Sequence, residues 1–280
     1  MLAEMAHSMP LRLAAGIAGS ALIAWAAWRK RALSASGAWS ATAMGAVYFA
    51  LGGPLWYGTL LVFFATSVFW SRWKRHARAK MEAERNYAKT GRRDAGQVWA
   101  NGGIGLALCA AYAIWPEPAI AAAFVGVMAS VNADTWATEI GALSRTQPRS
   151  VLTGRAVPAG TSGGVTPLGT AAALSGAALI GVSAALLGGG EAAELPAAAL
   201  IAAAAAAGLA GAMADSLLGA WQQAMYRCLA CGALTERAVH CGEPALHAQG
   251  RRWMTNDLVN LLSSLFAGGL AALIALLSGI

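Results

Sequence analysis

Apolar runs of roughly twenty residues alternate along this chain with short stretches that hold nearly all of its charge. A helix rises 1.5 Å per residue, so about 20 apolar residues cross the ~30 Å hydrocarbon core of a bilayer. Runs of that size fall at residues 11–28, 37–53, 54–70, 97–115, 118–142, 166–187, 196–222 and 256–279. Two pairs of runs meet at tight reversals, Gly52-Gly53-Pro54 and Trp115-Pro116-Glu117-Pro118, with proline near a helix start. The pattern predicts an all-α fold: a polytopic transmembrane helical bundle of about eight spans, forming one integral membrane domain over residues 1–280.

Charge gives this count a direction. Lys and Arg gather at Arg29, Lys30 and Arg31 and in the loops near 71–96, 143–165 and 223–255. With eight spans all of these fall on one side of the membrane. The other side receives Gly52-Gly53, Pro116-Glu117-Pro118 and an acidic turn over 188–195, none of them basic. The positive-inside rule then predicts cytoplasmic basic loops and an external N-terminus, and the expected location is a bacterial inner membrane. The first run lacks a small-residue cleavage site before Arg29 and reads as a retained helix, not a signal peptide.

Composition agrees. The chain is 58% hydrophobic and 12% charged, where soluble domains carry about 25% charge. Its 33 glycines suit helices that approach closely in lipid. The net charge of +7 comes without a nucleic-acid-binding motif, so it is read as topogenic and no nucleic-acid partner is expected. The segment from Trp70 to Arg93 admits a second reading, as an amphipathic helix on anionic headgroups.

Against this background the polar residues inside the runs stand out. Asp134 and Asp215 are acids within apolar segments, which marks a functional site by default. Gly126, Ser130 and Asp134 share one helix face, as do Ala207, Gly211, Asp215 and Gly219, so each acid lies on a surface fit for a close neighbour. In the eight-span topology both acids sit near the cytoplasmic surface. Asn101, Asn256, Asp257 and Asn260 reach the same level, and Asn132 and Glu139 flank Asp134. Glu139 is about 140° around the helix from Asp134, so it either joins a site wrapping the helix end or pairs with a loop arginine such as Arg145.

Two facing aspartates in a poorly solvated place call for a shared cation, and Mg²⁺ held by one or two carboxylates with substrate phosphates is the common solution. Gly160, Thr161, Ser162, Gly163, Gly164 and Thr166 offer the other half, a backbone nest leading into a helix N-terminus. Arg92, Arg93, Arg149 and Arg155 are the candidates for neutralising phosphate charge. No P-loop or kinase signature is present, so phosphoryl transfer here would use another scaffold, relying on positioning and electrostatics. In that reading Asp134, Asp215, Glu139 and Asp257 are the catalytic group.

The four cysteines divide. Cys109 lies within a run and reads as packing. Cys228-x-x-Cys231, followed by His240-Cys241 and His247, reads as a small structural zinc site whose fourth ligand is either histidine; reduced thiols are the alternative.

These residues resemble a known family. Asn132-Ala133-Asp134-Thr135-Trp136-Ala137-Thr138-Glu139-Ile140-Gly141 and Gly160-Thr161-Ser162-Gly163-Gly164-Val165-Thr166 are similar to motifs of the transmembrane-protein-19-like integral membrane proteins. Further matches are Ala214-Asp215-Ser216, the Cys228/Cys231/His240/Cys241 group, Asn256-Asp257-Leu258-Val259-Asn260, and Arg92-Arg93 with Gln97 and Asn101. That family includes the plant phytyl-phosphate kinase of vitamin E synthesis. The resemblance implies transfer of a terminal phosphate from a nucleoside triphosphate, CTP or ATP, to an isoprenyl monophosphate such as phytyl or geranylgeranyl phosphate. The roles assigned to single residues rest on their chemistry. Two other classes fit the same residues: a transporter or channel, with intramembrane charges lining an ion path, and a cytidylyltransferase forming a CDP-lipid.

Overall fold

The computed structural model describes residues 2–89, 91–188 and 197–278, with side chains from Met9 onward. Eight long helices and one short one carry the fold: α1 (Leu2–Arg29), α2 (Ala35–Leu51), α3 (Pro54–Arg72), α4 (Arg78–Glu84), α5 (Ala95–Ile114), α6 (Pro118–Gly141), α7 (Pro167–Leu187), α8 (Ala197–Gln222) and α9 (Asn256–Leu277). Seven of them are long and apolar enough to cross a membrane, which makes this an integral, multi-spanning membrane protein. The eighth long helix, α2, has 17 residues that rise about 26 Å, at the lower limit for crossing a bilayer, so the expected count of about eight becomes seven by length and composition. α2 nonetheless runs between both ends of the bundle. Ser34 at its start hydrogen-bonds the Arg93 carbonyl, while Gly52 at its end accepts from Arg12 at 2.8 Å. The acidic turn expected over 188–195 lies outside the described residues beyond Gly188.

The helices begin where the sequence caps them. Ser34, Asp94, Thr166 and Thr255 each accept a hydrogen bond from a first-turn amide, satisfying a donor that the helix leaves open. Asp94 forms a full capping box with Gln97. Pro54, Pro118 and Pro167 open their helices, where the missing N–H costs nothing.

α6 is the centre. It packs against α3, α5, α7, α8 and α9, and residues 121–133 are buried without interruption. Small residues make these approaches possible. A Cβ on Gly126 would stand 2.7 Å from the Ala267 carbonyl oxygen, and one on Gly208 would stand 2.8 Å from the Ala129 Cβ. Without a hydrophobic force between helices in lipid, such close packing and interhelical hydrogen bonds hold the bundle. Asn132 supplies two of those bonds, donating to the Gly176 carbonyl at 2.7 Å and accepting from Thr66 at 3.0 Å. It therefore ties α6 to α7 and α3. At the far end Trp56 and Tyr48 pack against Phe124 with tilted rings, their centroids 4.4 and 6.1 Å from that of Phe124.

The segment after α3 is no long amphipathic helix on the membrane. It breaks after Arg72 and re-forms only as the seven-residue α4. The physical reason is Lys80, which turns inward. Its ammonium pairs with Glu139 at 2.5 Å and donates to the Trp70 and Trp73 carbonyls at 2.7 and 3.1 Å. Short strands organise the other two large loops. β1 (Arg149–Ser150) pairs with β2 (Gly164–Val165). After α8 come β3 (Met225–Arg227), β4 (Leu234–Thr235), β5 (Val239–His240), β6 (Glu243–Pro244) and β7 (Leu246–Gln249). They form a three-stranded sheet, β4-β3-β7, and a β5-β6 hairpin.

Candidate active site

The C-terminal ends of α6 and α8 and the first turns of α5, α7 and α9 meet at one end of the bundle. Between them and the loops is a cavity of about 1090 Å³. Asp134, Asp215, Asp257, Glu139, Asn101, Asn256 and Asn260 all line it. Asp134 and Asp215 stand close enough for their charges to act on each other, and Glu236 acts on both. Asp215 also accepts a hydrogen bond from Ser263 on α9 at 3.0 Å. Asn260 donates through Nδ2 to Asn101 at 3.4 Å, and its own buried Oδ1 has no hydrogen-bond partner.

The glycine loop forms another wall. Gly160, Thr161, Ser162, Gly163, Gly164 and Thr166 line the same cavity. Gly160 and Gly163 have φ of +78° and +73°, a backbone region open to glycine. A Cβ on either would also collide, with the Ala83 backbone of α4 and with Ala220 of α8 respectively. Ser162 donates to Gln223 at 3.1 Å, while Thr166 caps α7 through the Gly169 amide.

The cations differ from the sequence expectation. Arg93 lines the cavity, half-buried, and donates to Ser67 at 2.6 Å and Ser71 at 3.1 Å. Arg92, Arg149 and Arg155 do not line it; all three are exposed, and Arg149 is spent on the Gly154 carbonyl at 2.9 Å. Their places are taken by Lys89, Lys80 and Arg145. Asn132 is likewise absent from the lining, being fully buried in its bridge between helices. Glu139 pairs with Lys80 and not with Arg145.

Lys89 bridges Asp257 at 2.5 Å and Asp94 at 3.0 Å. Burial pulls the Lys89 ammonium down, but the hydrogen bonds to Asp257 and Asp94 outweigh it and the net shift is upward. For Asp94, burial pushes up and the Gln97 amide and Lys89 pull down further, so its carboxyl titrates below the ordinary range. Burial raises Glu236, with only partial relief from the Ala88 amide that it accepts at 3.0 Å. Burial also pushes the Tyr87 hydroxyl well up, helped by the carboxylates of Glu236, Glu139, Asp134 and Glu84. Tyr87 thus remains a hydrogen-bond donor in the cavity wall.

Sequence reasoning missed Glu236, Lys80, Lys89, Tyr87 and Ser263. One signal for Glu236 was present: it is the single acid between the Cys228/Cys231 and His240/Cys241 pairs, in a stretch that a metal site would hold rigid. That second cluster is compact. Ligand atoms of Cys228, Cys231, His240 and Cys241 all lie within 4.8 Å of one another, so the group can chelate a metal of the Zn²⁺ kind. His240, not His247, is the fourth member; His247 packs its ring edge-on against Tyr226. Cys109 is buried in the main core.

Asp134, Asp215, Asp257 and Glu236 also line the cavity as acids; among the described residues only the Cys/His group brings three or more ligand atoms together as a metal site would. The rest of the wall is amphiphilic: Val68, Ala173, Leu209, Ala212 and Met213 continue the cavity between α3, α7 and α8.

Protein PGR of Arabidopsis thaliana is similar to this chain, 28% identical over 236 residues that cover 77% of this chain and 81% of the relative. Uncharacterized membrane protein MJ0933 of Methanocaldococcus jannaschii is 36% identical over 97 residues, 35% of this chain and 38% of that protein. No solved structure matches. The family described as integral membrane protein DUF92 matches residues 18–268, a span that holds both aspartates, the glycine loop and the Cys/His cluster. The chain belongs to that family, the transmembrane-protein-19-like integral membrane proteins.

Proposed function

We propose that the protein is a lipid-phosphate kinase, transferring a phosphoryl group from CTP or ATP to an isoprenyl monophosphate such as phytyl or geranylgeranyl phosphate. The observation that carries this reading is the single cavity in which Asp134, Asp215, Asp257 and Glu236 meet a glycine loop, Lys89, Arg93 and an apolar wall. Those are the three needs of the reaction: carboxylates for a cation, donors for phosphate, and a dry surface for a prenyl tail. A cytoplasmic position for the cavity, where nucleotide and lipid headgroup would meet, is supported by the basic loops around it through the positive-inside rule.

Asp134 and Asp215 would hold Mg²⁺. When bound, the ion supplies neutralisation of charge on the transferring phosphoryl group. The chain's own groups do the rest. Backbone amides of residues 160–164 and the start of α7 are suited to receive phosphate oxygens. Arg93 and Lys89 face the cavity as cations, and the Tyr87 hydroxyl donates. Leu209, Ala212 and Met213 exclude water from beside the lipid. No separate base is required, because the acceptor monophosphate already carries a nucleophilic oxygen.

The test uses purified protein with labelled prenyl monophosphates, Mg²⁺ and each nucleotide in turn. Prenyl diphosphate with nucleoside diphosphate is expected. Asp134→Asn and Asp215→Asn should each lower turnover by about 10²–10³-fold, the usual scale for losing an electrostatic group at the reacting centre. Release of pyrophosphate with a CDP-lipid would replace this reading by a cytidylyltransferase. Solute flux across liposomes without turnover would replace it by a transporter.

A further inference from the structure

The Cys/His cluster stands outside the cavity, in the loop between α8 and α9, and belongs to no step described above. Its construction is that of a metal site. Cys228 directly follows β3 and Cys231 comes next in a turn closed by Gly232, whose amide donates to the Cys228 carbonyl at 2.9 Å. His240 and Cys241 form the second turn at the tip of the β5-β6 hairpin, with Cys241 at φ +54° and Gly242 at φ +81°. Positive φ at both central residues is the geometry of a type I′ hairpin turn, with Cys241 in a place usually held by Asn, Asp or Gly. Cys231 Sγ and Cys241 Sγ lie 3.5 and 3.3 Å from His240 Nδ1. Tetrahedral Zn–S bonds of ~2.3 Å and Zn–N bonds of ~2.0 Å require edges of about 3.5–3.8 Å between such atoms.

Between the two turns the chain reaches back to the cavity. The Arg237 guanidinium donates to the Tyr87 carbonyl at 2.7 Å and the Glu84 carbonyl at 3.2 Å. Thr235 Oγ1 and the Glu236 amide both donate to the Asn86 carbonyl, at 3.0 and 2.9 Å. Glu236 Oε2 accepts from the Ala88 amide at 3.0 Å. Residues 84–88, which would otherwise be a loop with unpaired carbonyls, are thus held by residues 235–237. Those in turn are anchored at both ends by the four metal-ligating side chains.

We infer that Cys228, Cys231, His240 and Cys241 bind one structural Zn²⁺, and that this metal positions Glu236 and the 84–88 segment as one wall of the cavity. Zinc acts from outside: it touches neither the cavity nor any reacting group, and Glu236 is a positioning consequence of its binding. The inference stands whether or not the cavity is a kinase site, since its readouts are metal content and amide exchange.

The purified wild-type chain is expected to carry about one zinc per polypeptide by elemental analysis, or to take up one after reconstitution with Zn²⁺. Co²⁺ in its place should give the visible d–d bands of a tetrahedral thiolate site. Removing the metal with a chelator should raise hydrogen exchange at the Ala88 amide and across 84–88 at least tenfold, leave α6 and α8 unchanged, and reverse on adding Zn²⁺. Arg237→Ala should keep the metal yet loosen the same segment. Cys231→Ser should lose the metal; if that variant does not fold, Co²⁺ titration of the wild-type chain decides the point. Failure to bind Zn²⁺ or Co²⁺, thiols found in a disulfide, or exchange at 84–88 that ignores metal removal would each overturn the inference.

Discussion

α6 and α1 have nearly equal mean hydropathy, 1.3 and 1.4, but 72% of the α6 span is buried within the protein against 22% of the α1 span. Hydropathy separates membrane from water. It does not separate protein interior from lipid, because the hydrocarbon tails are as apolar as leucine. What distinguishes the two helices is where small and polar residues fall. α6 sets Gly126 and Ser130 against α9 and α8 and carries Asn132 and Asp134 inward. α1 turns Leu11, Leu22, Trp25 and Trp28 outward. A polar residue in a span must find a partner or a wet cavity, so it marks the helix that the others surround.

The largest effect should come from filling a close approach. Gly126→Leu and Gly208→Leu would force side chains into the Ala267 backbone and Ala129, whereas a Cβ on Gly19 in α1 meets nothing within 4 Å. The first two variants are expected to aggregate or to lose more than about 3 kcal/mol, the scale of severe overpacking. Gly19→Leu should purify with unchanged thermal stability. Equal damage in α1 would break the comparison.

Lys80→Met comes next. It leaves Glu139 uncompensated beside the cavity and strips the Trp70 and Trp73 carbonyls of a donor. Breaking a buried pair on one side costs about 3–5 kcal/mol, while replacing both partners is far milder. Thermal unfolding of Lys80→Met against the Lys80→Met/Glu139→Leu double variant measures the difference. The double variant should recover most of the loss; no recovery would mean that the pair is not what holds α4 in place.

The same contrast explains what could be read from the chain alone. Helix positions, the reversal at Gly52-Gly53-Pro54 and the meeting of Asp134 with Asp215 at one level follow from periodicity, which is local. Asn132 was also open to correct reading. It stands two residues, about 200° of helix, from Asp134, off the Gly126–Ser130–Asp134 face, so it had to point toward other helices. Partners separated by long stretches were not legible. Nothing near Glu139 in sequence names Lys80, and nothing near Asp134 names Glu236. Lys80 arrives on α4 and Glu236 from the loop after α8, and Arg237 ties the two segments together through the Tyr87 and Glu84 carbonyls. Arg149 and Arg155 looked equivalent to Arg93, yet Arg93 lines the cavity, its backbone paired with Leu33, and the other two do not.

The smallest expected effect concerns α5, whose span is 22% buried, like that of α1. Its N-terminus nonetheless belongs to the cavity, through Gln97 and Asn101, and its cap Asp94 shares Lys89 with Asp257. The Asp94 carboxyl titrates below its unfolded value, so the unfolded chain binds its proton first as pH falls. The stabilisation is complete above the unfolded carboxylate range near pH 4 and disappears as pH drops through the lower folded value. Protection of the Gln97 amide, corrected for intrinsic exchange, should therefore be flat from pH 7 to about 5 and fall below about 4. Asp94→Asn keeps a good N-cap but cannot titrate, so its protection should stay flat throughout and only the Lys89 contact should weaken. A fall that spread through all of α5 would show the peripheral helix to be held by its polar end and not by its apolar faces.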